Sequence, residues 1–132
     1  MSDAAIEIVN AFVASPKKER FLTLLGTKKG RPKLRQTLAH FQDLDPRYAQ
    51  RLGSDLRTTD AIVALLEQRG APAICYLLSE DPDLDGCELP LEEAVERVHG
   101  RGMGTFISCI PGRLAYFESE GMGERYLLVR RT

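Results

Sequence analysis

Hydrophobic positions along the chain change period once, near residue 70. Before it they repeat at helical spacing. Ala4, Ile6, Val9, Phe12 and Val13 predict a helix over residues 4–14. Ser15-Pro16 restarts the chain, with Ser15 placed to cap and Pro16 suited to a first helical turn. Phe21, Leu24 and Leu25 form the stripe of a second short helix that Gly26 ends. Pro32 opens a third, with Leu34, Leu38 and Phe41 on one face at i, i+4 and i+7. Asp45-Pro46 predicts a further short helix through Tyr48 and Leu52. Thr59-Asp60 begins another, with Ile62, Leu65 and Leu66 as its stripe and Gly70 just past its end.

Beyond residue 70 the apolar runs shorten. Ala73–Ser79 follows Pro72 and precedes an acidic loop, so it reads as a strand apolar on both faces. Leu91, Ala94, Val95 and Val98 mark a helix that Gly100, Gly102 and Gly104 break. Three strands follow, over 105–110, 113–118 and 125–130. Pro111-Gly112 turns tightly between the first two, and Glu120–Gly123 turns more loosely between the last two, which predicts a β-meander. The expected fold is α+β: a helical N-terminal half packed on a four-stranded, mainly antiparallel sheet in the order β-α-β-β-β. Residues 1–132 form a single domain in this reading. Residues 1–70 are its helical layer, and 73–131 are its sheet with one crossover helix. Strands apolar on both faces need covers on both, from helices or from a partner chain.

Composition narrows the class. The chain has 132 residues, 43% of them hydrophobic, which suffices for a core without disulfides or metal. No apolar run approaches the ~18 residues of a membrane span. The N-terminus Met-Ser-Asp-Ala-Ala-Ile-Glu lacks a basic n-region. With no C-x-x-C among Cys75, Cys87 and Cys109, free thiols in a reducing cytoplasm are expected. The net charge of −1 hides an asymmetry. Residues 1–35 hold eight Lys/Arg against three acids, a net of +5, so the remainder carries −6.

The basic segment suggests chemistry. Lys28-Lys29-Gly30-Arg31-Pro32-Lys33 is similar to the AT-hook, whose core is Arg-Gly-Arg-Pro. That resemblance implies contact with the minor groove of A·T-rich DNA, where basic side chains meet a deep negative potential. Lys29 stands where the motif has its first core arginine, so one planar fork is lost. A wider set from Lys17 to Arg35 suits any polyphosphate backbone, and Lys28, Lys29, Arg31, Lys33 and Arg35 are the candidate nucleic-acid or anion-binding residues. A plain turn between helices also accounts for Gly30 and Pro32.

Asp81–Glu92 satisfies the D-x-D-x-D-G-x₅-E spacing of a calcium loop. It is entered from a strand, and Pro90 stiffens it before Glu92, so a polar strand-to-helix connection is expected. His99 and Cys109 supply the residue types of a thiol dyad, but Cys109 sits in an apolar run where a thiol is inert. The Gly100–Gly104 segment runs from a helix into a strand, the wrong polarity for a phosphate loop. No catalytic motif stands out. The sequence therefore predicts a small cytoplasmic, non-catalytic binding or interaction module without cofactor, with a protein partner or a second copy of itself. The alternative is a nucleic-acid-associated protein using residues 17–35.

Overall fold

The computed structural model describes residues 4–53, 56, 58–120 and 124–130. Among them are α1 (Ala4–Phe12), α2 (Ser15–Leu25), α3 (Gly30–Leu38), α4 (Thr59–Gln68) and α5 (Leu91–Val98). The strands are β1 (Ala49–Arg51), β2 (Ile74–Ser79), β3 (Glu88–Pro90), β4 (Thr105–Ile110), β5 (Leu114–Glu118) and β6 (Arg125–Val129). They form one sheet in the order β1-β6-β5-β4-β2-β3, antiparallel at every pairing. The class is α+β, with β4-β5-β6 as the expected meander.

The sheet has six strands rather than four. β1 and β3 are three residues each, too short to show a period, and both lie at edges. β1 replaces part of the helix expected through Tyr48 and Leu52. Ala49, Gln50 and Arg51 pair with Leu128, Leu127 and Tyr126, and those ladder bonds override a weak local pattern.

Side-chain alternation sorts the core into two halves. Tyr76, Leu78, Phe106, Ala115, Phe117 and Leu128 face α1, α2 and α3. Cys75, Leu77, Ile107, Cys109, Leu114, Tyr116 and Leu127 face α4 and α5. This is the period-2 rule applied strand by strand. The helices before residue 70 therefore do not make one layer. α1–α3 cover one face, and α4 crosses to join α5 on the other. With both faces covered by the chain's own helices, the sheet does not require a second copy to bury it.

Local chemistry explains the helices. α1 buries Ala5, Ile8, Val9 and Phe12, and α5 buries Leu91, Ala94, Val95 and Val98, each at i, i+3, i+4 and i+7. α4 begins at Thr59 as expected, and Thr58 caps it by accepting from Ala61 N at 3.1 Å. Ser15 lies inside α2; its N-cap is Ala14, without a side-chain bond, and Pro16 sets the first turn. α3 starts at Gly30, two residues before Pro32, and ends before Phe41. Gly30 serves close approach: a Cβ there would collide with the Leu24 carbonyl of α2. Phe41 becomes the hub of an aromatic cluster, with ring centroids 5.5 Å from Phe21, 5.6 Å from Phe106 and 5.5 Å from Phe117.

Candidate functional site

The five nominated basic residues fall into two groups. Lys28 and Lys29 are exposed in the turn between α2 and α3, and Lys33 is exposed on α3. None of the three has an ion pair or hydrogen bond among the described residues. Arg31 and Arg35 are half-buried and turn inward to Asp85. Arg31 Nε donates to Asp85 Oδ2 at 2.8 Å, and its Nη2 donates to Oδ1 at 3.0 Å. Nη2 also donates to the Tyr76 hydroxyl at 2.8 Å, and Arg35 Nη1 stands 3.7 Å from Oδ2. This is the two-point fork at which arginine surpasses lysine. Burial alone would lower the Arg31 pKa. The bonds to Asp85 and Tyr76 more than reverse that and hold it above the ordinary arginine value.

Asp85 belongs to the loop with calcium-like spacing, so two separate sequence signals neutralise one another. Only 6% of the Asp85 side chain is exposed, and its Oδ1 also accepts from Ser79 N at 3.0 Å. Asp81 Oδ1 accepts from Asp83 N at 2.9 Å, closing a tight turn, and Gly86 takes φ +82° at the bend. Among the described residues no group of three His, Cys, Asp or Glu side chains is placed to hold a metal ion.

The glycine-rich segment after α5 does bind an anion, but an internal one. Glu118 on β5 is fully buried. Its Oε1 accepts from Gly100 N at 3.2 Å and from the Tyr116 hydroxyl at 3.0 Å, and Oε2 accepts from Gly102 N at 3.3 Å. Gly104 N donates to Glu80 Oε1 at 2.6 Å. Burial first, then the Glu118 charge, pushes the Tyr116 hydroxyl pKa up. Sequence reasoning missed Glu118. Its one visible signal is its place, two residues after Tyr116, on a face that is otherwise apolar.

Cys109 and His99, the residue types of a thiol dyad, take different partners. The Cys109 sulfur lies 3.7 Å from Cys75 Sγ, whereas His99 Nε2 stands 3.4 Å from Arg125 Nη1, which also bonds the Leu56 carbonyl. His40 is exposed, with Nδ1 3.2 Å from Glu120 Oε1.

A feature without a sequence signal is a cleft of about 320 Å³ between the segment after α3 and the β5–β6 end of the sheet. Phe41, Leu44, Pro46, Ala49, Phe117 and Tyr126 give it apolar walls. Gln42, Ser119 and Glu124 add polar groups. Its volume lies at the small end of ligand pockets, and its mixture of aromatic walls with a few polar atoms is typical of them. It draws residues from β1, β5, β6 and two turns, so no single segment encodes it. No helix among the described residues is long and apolar enough to cross a membrane. Comparison with protein families, curated proteins and solved structures finds no match to this chain.

Proposed function

We propose that this chain is a small non-catalytic binding module whose ligand seat is the cleft at Phe41, Ala49, Phe117 and Tyr126. The observation that carries this reading is the cleft itself: aromatic walls rooted in the Phe41 cluster, with Gln42 and Glu124 at hand to orient a polar group. Rings already fixed by packing lose little entropy when a ligand docks. Titration with the neutral dye N-phenylnaphthylamine tests it. Saturable fluorescence enhancement is expected, and Ala49→Phe, at a half-buried lining position, abolishes it while circular dichroism is unchanged. Absence of saturable binding, or equal binding by Ala49→Phe, refutes the reading.

The alternative, association with nucleic acid through residues 17–35, is supported by one observation. Lys28, Lys29 and Lys33 remain exposed and unpaired at the α2–α3 turn. Arg31 and Arg35 are removed from that surface by Asp85. Substituting Arg31 therefore cannot separate binding from folding. The informative variant is Lys28→Glu with Lys29→Glu and Lys33→Glu, read by fluorescence anisotropy of a labelled A·T-rich duplex and a single strand at about 50 and 200 mM salt. Steeply salt-dependent binding that the triple variant loses supports this alternative, and no binding by the native protein at the lower salt ends it.

A further inference from the structure

Cys75 and Cys109 are two nucleophiles that the packing of the core alone does not require to face each other. They stand on β2 and β4, just beyond the last paired residues of those strands, Tyr76 and Ser108. Both thiols are free, and their sulfurs are 3.7 Å apart.

Both residues are almost fully buried, and their side chains face α4 and α5. The third cysteine is separate: Cys87 Sγ donates to the Asp83 carbonyl at 3.5 Å.

We propose that Cys75 and Cys109 form a dithiol site that exchanges with a low-molecular-weight disulfide and closes to an intramolecular disulfide. The Cys75 thiolate attacks one sulfur of the small disulfide. A mixed disulfide forms, and one small thiolate leaves and is protonated. Cys109 then loses its proton to solvent and attacks the Cys75 sulfur. The Cys75–Cys109 bond forms, and the second small thiol leaves. The protein dithiol is oxidised by two electrons, and one small disulfide is reduced to two thiols. The contact with Cys109 holds the Cys75 thiol below its ordinary pKa, while the same contact and burial push Cys109 up.

The test equilibrates the reduced, folded full chain with glutathione disulfide and glutathione at rising ratio, then quenches with acid and alkylates. The expected product is lighter by two hydrogens, keeps only Cys87 open to alkylation, and yields a linked peptide pair containing Cys75 and Cys109. Cys87→Ser forms the same link, and Cys109→Ser traps glutathione on Cys75. Three alkylatable thiols at every ratio, or a link that includes Cys87, overturns the proposal.

Discussion

Replacing Asp85 by Asn removes one charge and changes no volume. The native carboxylate receives two guanidinium bonds from Arg31, at 2.8 and 3.0 Å, and the Ser79 amide at 3.0 Å. Asparagine can keep the Ser79 bond through its oxygen. Its NH₂ then faces the Arg31 Nε–H, donor against donor, and Arg31 retains only the Nη2 bonds to that oxygen and to the Tyr76 hydroxyl. Stripping one partner from a fully buried pair costs about 3–5 kcal/mol. Arg31 keeps 27% of its side chain exposed and can partly rehydrate, which places the expected loss at about 2–4 kcal/mol. Against a usual urea slope of about 1–3 kcal/mol/M, the unfolding midpoint falls by roughly 1–2 M. The chain has no tryptophan, so far-ultraviolet circular dichroism follows the transition. Arg31→Met and the double variant complete a cycle, with an expected coupling above about 1 kcal/mol. Moderate salt leaves the coupling largely intact, because a pair buried on the Asp85 side is poorly screened. A loss below about 0.5 kcal/mol with no coupling would show an ordinary surface ion pair and refute the reasoning.

Three further outcomes follow from the structure. A Cβ at Gly104 would collide with the Leu38 carbonyl, so Gly104→Ala costs about 2–4 kcal/mol in urea unfolding. Gly86→Ala meets nothing within 4 Å and carries only the cost of φ +82°, about 1 kcal/mol, so equal losses for the two would contradict the packing described. The Tyr116 pKa is raised by burial and by Glu118. Its contribution to stability is complete below the unfolded tyrosine value of about 10 and is lost as pH rises through the folded value. Tyr116→Phe should flatten the alkaline limb of a stability–pH curve, and an unchanged limb would exclude that role. The bond to Arg47, working against burial, holds Asp45 below the ordinary carboxylate value. Its contribution is complete above about pH 4 and is lost as pH falls through the folded value, so Asp45→Asn should lessen acid destabilisation as followed by circular dichroism.

Periodic segments were legible because a helix or strand of sufficient length writes its burial into neighbouring residues. The stripe Leu91, Ala94, Val95 and Val98 needs no knowledge of what it packs on. The apolar run Leu114 to Phe117 and the Pro111-Gly112 turn likewise identify a hairpin from local chemistry, with Gly112 at φ +74°. The basic turn and the acidic loop were visible too, as separate charge runs.

What those charges do was not visible. Arg31 and Asp85 are 54 positions apart, and nothing local distinguishes an arginine aimed at solvent from one locked into a fork. The same limit hid Glu118, whose donors at Gly100 and Gly102 lie 18 and 16 positions away. It hid the contact of Cys75 with Cys109, 34 positions apart, which forms only once β2 lies beside β4. β1 and β3 are shorter than any period they could display. By itself, then, the sequence determined all the helices but the one expected through Tyr48 and Leu52, the meander and the fold class, because each rests on spacing within one segment. The tertiary structure decided which helices cover which face, which charges stay free, and where a cleft opens. Those depend on free energies of contact between segments that have no local signature until the chain is closed.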